Sequence, residues 1–273
     1  MNATGTPAWV AALEGVASAP IVPGDLWTLS WDGQYEGAVI VSRVADNHVL
    51  GIPVTNDEPS ERDIAITVGD TSLSAWPHAE TGLGDFLLHK RLGAALSPEE
   101  VTQARRWAVG RGELTTLRTG SGARDAVTFA EVLEAFRRRC FIEWPSQEEA
   151  VLDVAATGMN PREFHEATGI ETGRIVELWE GHFLDADDRA ALGERLGAWT
   201  RVAVDAPSRE LSSPQVKELV MELCSASELS ERAARNAARS AYALAARTET
   251  VSARVASRAA DILRLLIEDA RAS

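Results

Sequence analysis

The composition of the chain changes near residue 80, from short strand-like segments to helices. Between Gly24 and Pro77, runs of β-branched and aromatic residues alternate with turn signals such as Asp32-Gly33 and Gly69-Asp70. Short runs spaced by roughly ten residues are typical of a small antiparallel barrel or a strongly bent sheet. The five runs are GDLWTLSW, AVIVSRV, HVLGIPVT, DIAITV and SLSAW. Because the remainder is helical in pattern, we predict an α+β protein with an antiparallel β-barrel followed by an all-α domain.

Capping signals mark the helices. Ser97-Pro98-Glu99-Glu100 predicts a helix that continues over 101–109, and a further helix is predicted over 128–139. The TGSGARD sequence that ends at Asp125 is typical of a linker. A short amphipathic helix is expected over 7–17. The predicted organisation is therefore a β-barrel domain with flanking helices (1–117), a linker (118–127), a helical domain (128–205) and C-terminal helices (206–273).

The charge balance bears on possible partners. The 273 residues include 27 Lys and Arg against 41 Asp and Glu, a formal net charge of −14. Because affinity for phosphate backbones comes mainly from basic side chains, binding of a nucleic acid requires a local basic patch. Residues 213–273, with 9 basic and 8 acidic side chains, are the most favourable region for such a contact.

Other motifs are few. Two cysteines are too few for a disulfide scaffold or a zinc finger, and no metal or cofactor motif is found. No apolar run is long enough to span a membrane, and no signal segment is evident. We expect a cytoplasmic protein that has neither a cofactor nor a bound metal and does not bind membranes.

The helical middle has the pattern of a helix-turn-helix unit. Asn160 precedes a helix with Pro161 at its first position and Gly169 at its end. The next helix opens at Glu171 or Thr172 and stops at Gly181. Two short helices joined by a tight turn on a glycine can place the second helix in the major groove of DNA.

This stretch resembles the XRE (Cro/repressor-like) helix-turn-helix family over roughly 50 residues. The residues that carry the resemblance are Asn160-Pro161, Thr168-Gly169-Ile170, Ile175, Leu178, Glu180-Gly181 and Leu196-Gly197. The resemblance implies DNA contacts from Glu171, Thr172, Gly173, Arg174 and Glu177. His165 and Trp179 depart from the family pattern. The alternative interpretation is a helical packing or protein-docking module.

Residues 22–112 resemble the PemK/MazF growth-inhibitor family. The order of motifs carries this resemblance: Pro23-Gly24-Asp25-Leu26-Trp27, Ala38-Val39-Ile40-Val41, Pro53-Val54-Thr55, and Leu92-Gly93 before Leu96-Ser97-Pro98-Glu99. The resemblance implies an SH3-like barrel, and many family members are endoribonucleases. In that chemistry an arginine before the second strand stabilises the developing phosphorane charge, and a threonine or serine ends the third strand.

The sequence matches this catalytic pattern only in part. Thr55 fills the threonine position and is the single catalytic candidate. The arginine position is occupied by Gln34-Tyr35-Glu36-Gly37, and a carboxylate such as Glu36 repels phosphate. Arg43, Lys90 and Arg91 are possible replacement cations, although the spacing requires none of them.

The C-terminal helices carry Arg232, Arg235 and Arg239 at spacings of three and four, which place them on one helix face. The simplest interpretation is a domain core with a solvated arginine stripe. The alternatives are a homodimer surface, or phosphate contacts beside the helix-turn-helix unit.

Three functional hypotheses follow. The leading one is a DNA-binding transcriptional regulator related to toxin–antitoxin or phage-defence modules, in which the barrel docks a partner or senses a signal. The second is an endoribonuclease that cleaves single-stranded RNA. The third is a non-enzymatic adaptor whose acidic surface binds a basic protein partner.

Overall fold

A computed structural model describes residues 5–45, 48–123, 126–144, 150–202, 206–248 and 258–272. The chain forms an antiparallel sheet in its N-terminal half and mainly helices thereafter, as predicted for an α+β protein. Contacts divide it into two compact units, one of residues 1–142 with 209–273 and the other of 143–208. The first unit is therefore discontinuous in sequence, whereas the predicted boundaries at 117, 128 and 205 divide the chain into consecutive domains.

Nine strands form the sheet of the first unit. They are β1 (Val16–Ala17), β2 (Asp25–Trp31), β3 (Gln34–Val44), β4 (His48–Thr55), β5 (Ile64–Val68), β6 (Thr71–Ala75), β7 (Thr81–Gly84), β8 (Leu88–Ala94) and β9 (Arg118–Thr119).

The strand order is β1-β8-β2-β3-β4-β6-β5-β9, with β7 paired to β4, and every pairing is antiparallel. Within the described residues no pairing joins the two ends of this path. Alternate residues of each strand point to the same face of the sheet. On one side these residues are aliphatic, and together they form a core. It includes the buried residues Leu26, Ile40, Ile52, Ile64 and Leu73.

Three helices flank the sheet in the N-terminal part: α1 (Ala8–Ala12), α2 (Pro98–Ala108) and α3 (Ala126–Cys140). Ser97 and Glu100 form the capping box that begins α2, as the sequence predicts. The predicted helix over 7–17 is shorter in the structure. Val16 and Ala17 instead pair with β8, which leaves α1 only five residues.

Part of the predicted linker 118–127 forms regular structure in the first unit, whereas 124–125 lie outside the described residues. Arg118 and Thr119 form β9 and pair with Ala65 and Ile64 of β5. The amide of Glu61 also donates to the carbonyl of Gly122, at 3.0 Å. The glycine-rich composition is therefore that of a short edge strand, whose backbone groups find partners on β5 and on the loop before it.

The C-terminal part of the first unit is formed by α10 (Lys217–Ser227), α11 (Glu231–Thr248) and α12 (Arg258–Ala272). In the sequence, the boundary at 208/209 falls within α9 (Ala206–Ser212). Val220, Leu223, Ala234, Leu263 and Ile267 are buried. The apolar positions Ile262 and Leu263 of α12 are therefore covered within the chain, and the homodimer stays a prediction.

The predicted solvated arginine stripe on α11 is wrong, because Arg235 and Arg239 are buried. Glu231 Oε1 lies 2.5 Å from Lys217 Nζ and 2.7 Å from Arg235 Nη2, and all three side chains are fully buried. Lys217 also donates to the carbonyls of Ser30 and Phe86, at 2.9 and 3.0 Å. Buried charges persist where they are paired and hydrogen-bonded: here the ion pairs join α10 to α11, and the carbonyl acceptors come from β2 and from the turn between β7 and β8.

The pKa values in this cluster follow from burial and pairing. Burial, together with the nearby Arg235, lowers the pKa of Lys217 to about 8. Burial opposes ionisation of Glu231, but Arg235 and Lys217 hold its pKa below the ordinary value. Burial raises the pKa of Asp85 to about 6, against the opposing effect of Arg235. The helices are thus held to the sheet by a cluster of buried ionisable groups.

The second unit contains the strands β10 (Ala150–Leu152) and β11 (Thr200–Val202), which pair with each other, and five short helices. Ser146 and Glu149 have the spacing of a capping box, which predicts a helix that ends at Thr157-Gly158. That pair lies outside the described residues, and 150–152 form a strand within the predicted helix. The helices are α4 (Val154–Thr157), α5 (Pro161–Thr168), α6 (Thr172–Trp179), α7 (Ala186–Leu192) and α8 (Leu196–Trp199). They share a core of Phe164, Ile170, Ile175, Leu178, Leu184 and Leu192.

Candidate functional site

Helices α5 and α6 form a helix-turn-helix arrangement. The Asn160 side chain accepts hydrogen bonds from the amides of Arg162 and Glu163, both at 3.0 Å, and so caps α5. Gly169 ends that helix with φ of 73°, a left-handed conformation that glycine adopts without steric cost. Glu171 precedes the first residue of α6. The sequence prediction of two short helices joined at Gly169 is therefore confirmed.

The residues predicted to contact DNA are the cap of α6 and residues of its first two turns. Glu171, Thr172, Gly173 and Glu177 are exposed, whereas the Arg174 side chain is three-quarters buried. Ile175 and Leu178 point into the core, as one face of an amphipathic helix must.

Arg174 contacts acceptors within its own unit through all three guanidinium nitrogens. Nη2 lies 2.6 Å from Asp188 Oδ2 and 2.6 Å from the carbonyl of Phe183, and Nε lies 3.1 Å from Asp188 Oδ2. Nη1 donates to Glu177 Oε2 at 2.6 Å. These charge-assisted bonds, above all those to Asp188, raise the pKa of Arg174 above its ordinary value. The one cation on α6 is engaged in a structural network.

Asp188 has a second role at the start of α7. Its carboxylate accepts from the amide of Asp185 at 2.9 Å, and its own amide donates to Asp185 Oδ1 at 2.8 Å, which completes a capping box. Asp188 is 3% exposed. Arg174 therefore joins α6 to the beginning of α7.

The outer surface of α5–α7 is acidic. Between residues 143 and 208 the sequence has 14 Asp and Glu residues against five arginines. Of the described arginines, Arg162 pairs with Glu166 and Arg195 donates to the carbonyl of Ala167. We use the name acidic surface for the exposed carboxylates of these helices and their caps: Glu163, Glu166, Glu171, Glu177, Glu180, Asp185 and Asp187.

Thr55 ends β4, one residue beyond the Ala38–Val54 pair. Its hydroxyl accepts a hydrogen bond from the indole of Trp76, at 3.1 Å. Of the candidate replacement cations, Arg91 binds both carboxylate oxygens of Asp25, at 2.6 and 2.8 Å. Catalysis by Thr55 stays a prediction.

Helix α3 places an arginine beside Glu36, in the segment that occupies the arginine position of the predicted catalytic pattern. Arg139 Nε lies 3.1 Å from Glu36 Oε2. A Cβ atom at Gly37 would come within 3.1 Å of the Phe136 ring, so glycine permits this close approach of α3 to β3. Burial lowers the pKa of Arg139 and raises that of Tyr35 to about 12. The carboxylate of Glu36 is thereby compensated inside the fold.

A cavity of about 450 Å³ lies in the first unit between α1, β2, β8 and α10. Sequence reasoning missed its polar residues Ser30, His89 and Glu218. The alternation within β2 places Thr28 and Ser30 on one face of the strand. This is the one sequence pattern that groups any of the polar residues of the cavity. Glu218 is distant in sequence, and His89 lies in a strand that was not predicted.

No group of three or more histidine, cysteine, aspartate or glutamate side chains is arranged to hold a metal ion within the described ranges. In the same part of the chain, no helix has both the length and the apolar character needed to cross a membrane.

Neither a scan against models of protein families nor a search of curated proteins returns a match for this chain. The resemblances to the XRE and PemK/MazF families stay predictions from the residues that carry them.

Proposed function

We propose that the protein is a non-enzymatic adaptor whose second unit binds a basic segment of a partner protein through the acidic surface. The observation that carries this proposal is the engagement of Arg174. Its guanidinium binds Asp188, Glu177 and the carbonyl of Phe183, so it contributes to the fold of the unit. A nucleic acid that contacted this side chain would compete with those bonds.

The charges around α6 support the same conclusion. Exposed carboxylates repel a phosphate backbone and attract lysine and arginine side chains. Complementary charge of this kind accelerates encounter and selects among partners more than it adds affinity. A basic segment is the partner chemistry that this surface favours.

The proposal also gives each unit a fold family. The order of β2, β3 and β4 and the capped helix α2 support an SH3-like barrel of the PemK/MazF kind as the docking or sensing half. The turn at Gly169 and the capped helix α5 support an XRE-like origin for the second unit.

Binding to a labelled lysine-rich peptide, measured by fluorescence anisotropy with the full chain, tests the adaptor. The variant Glu166→Gln/Glu171→Gln/Asp187→Asn removes three exposed carboxylates of the acidic surface. We expect about tenfold weaker binding, since each exposed charge contributes a fraction of a kcal/mol. Binding should also weaken with salt, because exposed charges are screened.

The matched control is Asp70→Asn/Glu99→Gln/Glu113→Gln, which changes the net charge equally at exposed positions of the first unit. It should bind as the wild type does. Equal weakening in both triple variants would show a dependence on net charge alone, and no binding by the wild type would also contradict the adaptor.

DNA binding is a second candidate function, favoured by the arrangement of α5 and α6. Thr172, Gly173 and Val176 are exposed on α6, where side chains of a recognition helix meet base edges. A mobility-shift assay at low salt with the DNA upstream of its own coding sequence tests this function. A shift that Thr172→Ala weakens and Arg162→Ala preserves would support DNA binding, since Thr172 is exposed on α6 and has no part in the Arg174 network. No shift by the wild type would remove this candidate.

A further inference from the structure

We propose that the cavity between α1, β2, β8 and α10 binds a small organic cation that carries a primary ammonium group on a short polar chain. The cavity lies wholly within the first unit and has a volume of about 450 Å³. Pockets of about 300–1,000 Å³ are typical of sites for small molecules. The acidic surface belongs to the other unit, so the cavity and the proposed adaptor function can be tested separately.

The ionisable side chains that line the cavity favour a cation. Glu14 and Glu218 are its two carboxylates, and Lys90 is the one cation among the described residues of the lining. Burial lowers the pKa of His89, the remaining basic side chain, so its imidazole is neutral at neutral pH. A concave surface with an excess of negative charge raises the local concentration of cations.

Glu218 has one carboxylate oxygen that a ligand can use. Its Oε1 lies 2.8 Å from His89 Nε2 and 3.9 Å from Lys90 Nζ. Its Oε2 makes no hydrogen bond within the part of the chain that the structure describes. The side chain is 48% exposed, so a molecule from solution can reach it. One available oxygen suits a compact ammonium, whereas a guanidinium binds best to both oxygens of a carboxylate.

Glu14 supplies the second carboxylate from the turn between α1 and β1. Its side chain is exposed, and its carboxylate has neither an ion pair nor a hydrogen bond among the described residues. The two carboxylates therefore come from elements that are far apart in the sequence and meet at one cavity. An ammonium group between them gains from both, although each contribution is small because water screens exposed charges.

The rest of the lining suits a short chain with a polar end. Ala11 and Met221 offer apolar contacts, and Thr6 contributes a polar side chain. All three residues are at least partly exposed, so a ligand in the cavity can contact them. This mixture fits an amino alcohol better than a large apolar body.

Saturation-transfer NMR titrations with the full chain at pH 7.5 and low salt test this assignment with three probes that share a four-carbon chain. They are 4-amino-1-butanol, a cation, 1,4-butanediol, which is neutral, and 4-hydroxybutyrate, an anion. We expect the cation to bind about fivefold more tightly than the diol, since each exposed ion pair contributes little. Failure of the cation to bind, a preference below about twofold, or tighter binding of the anion would overturn the proposal.

Removal of the two carboxylates shows whether the cavity supplies the attraction. Glu14→Gln/Glu218→Gln keeps the size of both side chains and should bring binding of the cation close to that of the diol. The matched control, Glu113→Gln/Glu222→Gln, changes the net charge equally within the first unit, outside the lining. Glu222 is on α10, like Glu218, and its side chain is 42% exposed. The control should bind as the wild type does, and equal weakening in both double variants would overturn the assignment.

Lys90→Met should change binding in the opposite direction. It removes the one cation of the described lining and should tighten binding of 4-amino-1-butanol about threefold, a gain that a damaged fold would not produce. Arg106→Met, exposed on α2 outside the lining, changes the net charge equally and should have no effect. Absence of a gain in Lys90→Met, or an equal gain in both variants, would contradict the assignment.

Ala11→Trp, at an exposed lining position of α1, should abolish binding, whereas Ala12→Trp, exposed on the same helix outside the lining, should not. Because both alanines are exposed, both variants should fold. Unchanged binding in Ala11→Trp would place the cation elsewhere and overturn the assignment.

Discussion

The side chains that hold the C-terminal helices to the sheet are charged and buried. The amide of Asp32, in the turn after β2, donates to Glu231 Oε2 at 3.1 Å, and the amide of Glu231 donates back to Asp32 Oδ1 at 2.5 Å. Lys217 and Arg235 neutralise Glu231 from two sides. Arg235 also donates to the carbonyl of Leu211. Desolvation makes each of these groups costly alone, so the cluster is stable only when complete.

We expect Lys217→Met to destabilise the first unit by about 3 kcal/mol or more, because it removes one partner of a buried ion pair. Hydrogen exchange of the β2 amides measures this free energy. The control Arg264→Met breaks an exposed pair with Asp261 and should cost less than about 1 kcal/mol. Equal protection of β2 in wild type and Lys217→Met would contradict the role of the cluster.

Asp85 should make stability depend on pH in an unusual direction. Its pKa of about 6 lies above the ordinary value, so the folded chain holds this proton more tightly than the unfolded chain. Its contribution to stability is therefore present below about pH 4 and is lost as pH rises to about 6, by at most about 3 kcal/mol.

Urea unfolding of the wild type and Asp85→Asn across this range measures the effect. We expect the difference between them to move in favour of Asp85→Asn as pH rises. Asp70→Asn, at an exposed turn, serves as the control. A difference that is constant with pH would show that Asp85 does not titrate in this range.

At the scale of elements, local signals place the ends of the short helices in the second unit. Asn160 and Asp185 each begin a helix through a capping box, and Gly169 ends one in the left-handed conformation. These interactions span at most three residues, so they can be read from the sequence. The link between α6 and α7 through Arg174 and Asp188 spans fourteen residues and depends on how the helices pack.

Two glycines of this unit should respond to alanine in opposite directions. Gly169→Ala forces a Cβ into the left-handed region and should destabilise the α5–α6 pair by about 1–2 kcal/mol. Gly173→Ala, inside α6 with open space around it, should stabilise the helix by up to about 1 kcal/mol. Hydrogen exchange of peptides that cover 161–179 measures both effects, and a shift of the same sign in both variants would contradict this account.

At the scale of the whole molecule, the first unit is assembled from two distant parts of the chain. Residues 1–142 supply the sheet, and 209–273 supply the helices that carry Lys217, Glu231 and Arg235. The second unit, 143–208, is inserted between them in sequence. These three charges pair with one another, but their burial and their bonds to Ser30, Asp32 and Phe86 need residues 1–142, so each part depends on the other for folding.

Fragments 1–142 and 209–273, expressed together, should therefore form a complex that co-purifies. Lys217→Met in the C-terminal fragment should weaken the complex at least tenfold, whereas Arg264→Met should not. Size-exclusion chromatography and circular dichroism of the separate and mixed fragments provide the measurement. A folded, monodisperse 1–142 fragment without its partner would contradict this dependence.

The sequence by itself determined the division into a sheet followed by helices, the capping of α2 and α5, and the turn at Gly169. These features follow from residue periodicity and from contacts between near neighbours. The tertiary structure decided the partners and the burial of the charged residues. Arg174 binds Asp188, Arg139 binds Glu36, and Arg235, which was expected at the surface, is buried. It also formed the cavity at Ser30, by bringing Glu218 beside His89. The physical reason is that the environment of a charge or hydroxyl depends on groups far away in the sequence, which only packing brings within a few ångströms.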